Sequence, residues 1–182
     1  LAKIDGEYRG IIAESPVIRE KLEIMTKAAN TDSTVLLLGE GGTGKEFFAE
    51  KIHQSSSRYD KPFVKQSCAE KSGKTIEIKK AGGGTLFFDE IGDLSAALQA
   101  DLLKIIRKGG DYRILAATRI DIEKQAEKGA FCRDLYHRLN VFIICIPPLR
   151  QRGEDIPALA DIFLKKSMAE TKNSFKGFSR RS

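Results

Sequence analysis

The stretch V-L-L-L-G-E-G-G-T-G-K-E, from Val35 to Glu46, constrains this chain more than any other. Four apolar residues, Val35 to Leu38, read as a buried strand, and a glycine-rich turn follows at once. Gly39, Gly41, Gly42 and Gly44 let the backbone fold tightly, so that successive N–H groups can point at an anion. Lys45 ends the turn, and Phe47, Phe48 and Ile52 then recur at helical spacing, which brings a helix N-terminus to face the same anion. G-x-x-x-x-G-K between a strand and a helix is the spacing of a loop that cradles nucleotide phosphates. Thr43 lies within that loop, and Glu46 stands where a Ser or Thr would ordinarily ligand Mg²⁺.

The 182 residues suit one domain with room for the start of a second. Hydrophobic residues make up 41% and charged residues 31%, a balance that suits a soluble globular chain. No apolar run approaches membrane-spanning length and no signal-peptide pattern opens the chain, so no membrane partner is expected. A start at Leu1 without methionine suggests an excised domain. Cys68, Cys132 and Cys145, with only His53 and His137 beside them, lack metal-ligand spacing, and a reduced, cytoplasmic setting is expected. The net charge of +6 comes from scattered basic residues, apart from a small cluster at Arg180 and Arg181. No nucleic-acid-binding motif accompanies them, so DNA contact would need a domain outside this chain.

Taken in order, Ser15-Pro16 is a helix start, and Ile18, Leu22, Met25 and Ala29 follow at helical spacing. After the glycine-loop helix, Ser55 to Lys61 is a polar turn and Phe63 to Lys65 a short strand. The lysine-rich run Glu70 to Lys80 reads as a loop with one candidate strand at Thr75 to Ile78. Gly82 to Gly84 turns into the strand Thr85 to Glu90. Leu94, Leu98, Leu102, Ile105 and Ile106 mark an amphipathic helix with Ser95 near its start. Arg113 to Ala117 reads as a buried strand, Asp121 to Lys128 and Arg133 to Leu139 as helices, and Val141 to Ile146 as a strand stopped by Pro147-Pro148. Ile156, Leu159, Ala160 and Phe163 make a last helix. Alternating strands and helices, with several strands apolar throughout, predict an α/β fold: a parallel sheet sandwiched by helices.

Phe87-Phe88-Asp89-Glu90 is a hydrophobic strand that delivers two carboxylates at its C-terminal end, the edge where the glycine loop also lies. Asp89 would hold Mg²⁺, directly or through water, and Glu90 would orient or deprotonate a water attacking a γ-phosphate. Coming some forty residues after the glycine loop, the pair points to a nucleoside triphosphatase. Arg138, in D-L-Y-H-R-L, is a candidate finger for a neighbouring subunit. From the residues alone, a surface arginine on an amphipathic helix is the favoured reading.

The segments G-I-I-A-E-S-P, G-E-G-G-T-G-K-E, G-G-T-L-F-F-D-E-I-G-D-L, L-Q-A-D-L-L, R-I-L-A-A-T, D-L-Y-H-R-L-N-V-F and P-P-L-R-Q-R-G-E-D-I-P occur in this order. Together they resemble the AAA+ domain of bacterial enhancer-binding proteins, the sigma-54-dependent transcriptional activators, from about Tyr8 to Leu164. The resemblance implies an AAA+ P-loop ATPase core over residues 1–150 and the truncated start of a helical lid over 151–182. It implies ATP and Mg²⁺ as cofactors, self-association into a hexameric ring, and remodelling of the sigma-54 RNA polymerase closed complex. It assigns phosphate contacts to Gly42, Thr43, Gly44 and Lys45, makes Asp89 and Glu90 the acidic pair and Arg138 an arginine finger, and makes Glu46 an expected residue. Ile11 and Ile12 fall where the family packs adenine, with ordinary core as the plain alternative.

Four departures from the family pattern stand out. The segment between Cys68 and Gly83 is short and lacks the GAFTGA loop that touches sigma-54. The turn between Arg107 and Tyr112 is also short. Two readings stay open for these gaps: genuine deletion, or pore-facing segments omitted from the sequence as it stands. Arg119 replaces an asparagine after Ala116-Ala117-Thr118, and Ser67 replaces another. Cys132 occupies the first arginine-finger position, with Arg133 one place along. The chain also ends before the lid's sensor arginine. These departures motivate an alternative: a divergent nucleotide-binding, oligomerising regulatory module with little ATPase activity or no sigma-54 contact.

Overall fold

A computed structural model describes residues 10–68, 76, 78–171 and 178. The elements are α1 (Pro16–Ala29), β1 (Val35–Leu38), α2 (Lys45–Gln54), β2 (Phe63–Ser67), β3 (Thr85–Asp89), α3 (Ala96–Lys108), β4 (Arg113–Thr118), α4 (Ile122–Glu127), α5 (Arg133–Leu139), β5 (Phe142–Cys145) and α6 (Ile156–Thr171). The five strands form one parallel sheet in the order β2-β3-β4-β1-β5. β1 lies inside the sheet, with Val35 level with Leu115 on one side and Phe142 on the other. The turn that follows β1 therefore opens at the C-terminal edge, between two neighbouring strands.

Successive side chains in a strand point to opposite faces, and here both faces are covered. Leu36, Leu86, Phe88, Ile114 and Ala116 pack with Leu102 of α3, Ile122 and Ala126 of α4, and Leu135 and Leu139 of α5. Val35, Leu37, Phe87, Leu115 and Ala117 pack with Ile18, Leu22 and Met25 of α1 and with Phe48, Ala49 and Ile52 of α2. Every residue of β4 is buried, which is why that strand reads as a continuous run without alternation. Each large side chain fully buried in these layers contributes roughly 1.5–3 kcal/mol of transfer free energy.

Local chemistry sets the helix starts. Ser15 Oγ accepts from Ile18 N–H with Pro16 at the first helical position. Ser95 Oγ accepts from Leu98 N–H, and Asp121 Oδ1 from Lys124 N–H.

Several expectations change. Ile78–Ala81 is a 3₁₀ turn and not part of a strand; β2 forms the sheet edge and Ala81 tucks into the core beneath the turn. The rest of the Thr75 to Ile78 reading, apart from Ile76, lies outside the described residues, as does the Arg180–Arg181 cluster. Phe47 faces solvent on α2, with Lys51 Nζ 5.4 Å from its ring centre. α6 forms, yet buries none of its residues; Phe163 is 63% exposed because no described element packs over it. Among the described residues no helix is long and apolar enough to cross a membrane.

Candidate nucleotide site

The glycine loop is built as its spacing requires. Gly39 N–H donates to Thr118 O of β4 (3.2 Å), which ties the start of the turn to the neighbouring strand. A Cβ on Gly39 would sit 2.8 Å from both Ile146 O and Thr43 Oγ1, so no side chain fits there. Gly42 and Gly44 adopt φ of +79° and +93°, a region that favours glycine. A Cβ on Gly41 or Gly42 would meet nothing within 4 Å, so the outer face of the loop is open. Gly44 caps α2 without any side-chain hydrogen bond, which leaves the first N–H groups of the helix available to an anion.

Lys45 is 6% exposed and reaches back under the loop, donating to Gly39 O (2.9 Å) and Glu40 O (3.2 Å). Its Nζ also lies 3.2 Å from Glu90 Oε1, while Glu90 Oε2 accepts from Arg119 N–H at 2.9 Å. The predicted strand runs one residue too far. β3 stops at Asp89, and Glu90 turns out with φ 55° and ψ 52°. It is the one non-glycine residue with positive φ among those described. That conformation costs about 1–2 kcal/mol, and the Lys45 and Arg119 contacts hold it in place.

Asp89 and Glu46 meet through a residue that the motif analysis missed. Lys65 Nζ of β2 is 2.6 Å from Glu46 Oε2 and 3.4 Å from Asp89 Oδ2. The hydrogen bond to Glu46, helped by Asp89, holds the Lys65 ammonium above its ordinary range. The signal was the pleat: Lys65 is two residues before Ser67, which is level with Asp89 on β3. Cys68 follows, buried, its thiol pushed up to about 12 by burial and by Asp89, Asp93 and Glu90 nearby, which disfavours the nucleophilic thiolate.

The residues fit a Mg²⁺ ion that is shared with phosphates. No group of three or more His, Cys, Asp or Glu among the described residues could hold a metal alone. Asp89 supplies hard carboxylate oxygens, and Mg²⁺ is ordinarily bound through one or two carboxylates plus substrate phosphates.

The segment after β5 closes round the loop. Arg150 makes a two-pronged ion pair with Glu40 and holds that carboxyl below its usual range. Arg152, buried, donates to Thr43 O (3.2 Å). Asp155 accepts from Ser15 N–H (2.8 Å) and Ser15 Oγ (3.0 Å), fastening the start of α1. A cleft of about 380 Å³ beside the loop is lined by Val17, Lys21, Glu40 and Pro147 among others; Ile11 and Ile12 do not line it. Both are half-buried ahead of α1, with Ile11 against the α1–α2 core layer. Arg119 Nη2 lies 3.5 Å from Asp93, and Cys132 N–H donates to Gln99 Oε1. Arg138 is exposed on α5 and has no hydrogen bond or ion pair among the described residues.

A family model described as the sigma-54 interaction domain matches residues 12–149. The chain belongs to that family. Among similar proteins, the Nif-specific regulatory protein of Rhizobium leguminosarum bv. trifolii is 42% identical over 197 residues, covering 90% of this chain and 56% of that protein. That of Azotobacter vinelandii is 41% identical, covering 90% and 38%. Among solved structures, NtrX from Brucella abortus in complex with ATP superposes with a TM-score of 0.88 at 26% identity, covering 98% of this chain and 46% of that one. The fold is that of AAA+ P-loop NTPase domains. This sigma-54 interaction domain thus spans 56% or less of the length of these relatives. The first alignment is longer than the chain's own 182 residues, so the relative carries residues with no counterpart here.

Proposed function

We propose that this domain binds and hydrolyses ATP and uses the cycle to remodel sigma-54 RNA polymerase. The observation that carries the reading is Lys45 Nζ held 3.2 Å from Glu90 beneath an open glycine loop. Gly39, Gly41, Gly42, Thr43 and Gly44 would line the phosphates through backbone N–H groups, as Lys45 supplies positive charge. A bound Mg²⁺ at Asp89, beside Glu46, would neutralise phosphate charge. A phosphate gives Lys45 a second anion, which releases one Glu90 oxygen to accept a proton from the attacking water. Arg119 N–H keeps the other oxygen in place.

Exposed and unpaired among the described residues, Arg138 suits a finger that completes a neighbour's site, and hence a ring of six copies. Residues 1–150 form the nucleotide core, and 151–182, with α6 still uncovered, begin the lid. Ile11 and Ile12 flank the base. DNA is reached through a domain outside this chain, in a cytoplasmic protein. The NtrX structures in complex with ATP and with ADP support nucleotide binding by a fold of this kind.

Capture of purified sigma-54 by the domain, held in a trapped ATP-hydrolysis state, tests the proposal. Capture that depends on nucleotide and is lost in Lys45→Ala is expected. Robust ATP turnover with no capture would remove the polymerase role and leave an ATPase without this partner.

A further inference from the structure

Resting on the nucleotide-site reading, we infer that Lys65 is an internal competitor of the divalent cation, so that metal binds only by displacing the chain's own ammonium from Asp89 and Glu46. A single Nζ bridges a carboxylate at the end of β3 and one in the first turn of α2, at 3.4 and 2.6 Å. These carboxylates flank the place where a P-loop protein holds its metal, and the position that usually supplies a metal-binding hydroxyl here supplies Glu46. A lysine ammonium is a compact point charge on a flexible stem, so it can occupy a cation's place and leave it. Among the described residues nothing else anchors it, because both of its contacts are to carboxylates.

The setting allows the exchange. The side chains of Lys65, Glu46 and Asp89 are 38%, 44% and 25% exposed, so a departing ammonium reaches water directly. Among the described residues, two neighbouring cations have carboxylates of their own. Lys45 faces Glu90, and Arg119 faces Asp93. Lys65 is therefore a positioning residue. It keeps the metal-free pair of carboxylates from repelling each other, at the cost of weaker metal binding.

The test measures Mn²⁺ affinity directly, from the paramagnetic resonance signal of the free ion, in the presence of ATP. The Glu90→Gln background prevents turnover. ATP binding in EDTA is measured alongside. In Lys65→Met, Mn²⁺ should bind about tenfold tighter, as expected for removing one unit charge a few ångströms away at a partly solvated site. ATP affinity in EDTA should stay unchanged, and Lys65→Arg should retain weak metal binding. Lys65→Gln, as a second neutral variant, should repeat the gain if Met disturbs folding. Unchanged or weaker Mn²⁺ binding in both neutral variants, with ATP binding intact, overturns the inference alone. No ATP binding in any protein, with or without metal, overturns the nucleotide-site reading and this inference with it.

Discussion

Arg58 and Lys65 are both cations placed between two carboxylates, at opposite edges of one sheet. At the N-terminal edge, Arg58 forks onto both oxygens of Asp32, reaches Asp111 at 2.7 Å, and also donates to Gly83 O. It thereby joins the segments that enter β1, β3 and β4. At the C-terminal edge, Lys65 touches carboxylates only, among the described residues. A planar guanidinium that also satisfies a backbone carbonyl is fixed by the fold. An ammonium that satisfies only carboxylates can be exchanged for another cation. The same charge pattern is thus structural at one edge and available for chemistry at the other.

The contrast extends to some of the glycines. At the N-terminal edge, a Cβ on Gly84 would come within 2.0 Å of Pro62 O, and one on Gly110 within 2.3 Å of the Tyr112 ring. Gly41 and Gly42, at the tip of the glycine loop, would meet nothing within 4 Å, whereas Gly39 at its base is tightly held, like those two N-terminal glycines. Both short connections, Ile78 to Gly84 and Gly109 to Tyr112, close tightly at the N-terminal edge, with Arg113 of β4 buried beside them and donating to Ala28 O.

The largest expected effect breaks the N-terminal edge. Gly84→Ala forces a methyl against backbone and should cost about 3 kcal/mol in denaturant unfolding. ATP affinity should be kept at temperatures where the variant is folded. Next, Lys45→Ala should weaken ATP binding on the order of 100-fold by calorimetry, losing a charge-assisted contact worth several kcal/mol. Its melting temperature should shift by only a few degrees. Arg58→Ala should cost about 1–2 kcal/mol of stability, because the guanidinium is mostly covered although its partners are exposed. Equal ATP affinity in Arg58→Ala and the parent would keep the two edges separate; a large loss would join them.

The smallest effect concerns pH. His53 is buried, with Nδ1 2.9 Å from Thr85 Oγ1, and burial lowers its pKa below 6.5. The unfolded chain takes up the proton first, so this contribution to stability is present above pH 6.5 and is lost as pH falls from there towards the folded value. Unfolding at pH 7.5 and 5.5 should differ by at most about 1 kcal/mol from this group. His53→Gln should flatten that part of the profile.

The α/β class, the glycine loop and the acidic end of β3 were legible because each is a local pattern, closed within a dozen residues. The Lys65 bridge was not, because its partners come from three elements and meet only through strand register. The Arg150–Glu40 and Arg152–Thr43 contacts join residues more than a hundred positions apart. Nothing in F-F-D-E shows that Glu90 turns left-handed; the conformation follows from what Lys45 and Arg119 offer its carboxylate. At Ile78, β propensity lost to topology, since β2 forms the edge of the sheet and the chain turns at Ala81 to enter β3.

The most direct test of the ATPase account is ATP turnover per subunit as a function of protein concentration, for the parent and for Glu90→Gln. The account predicts a rate that rises with concentration as neighbouring copies bring Arg138 to each other's sites, and a Glu90→Gln protein that binds ATP without turning it over. A rate per subunit that stays flat with concentration, or that persists in Glu90→Gln, would contradict it.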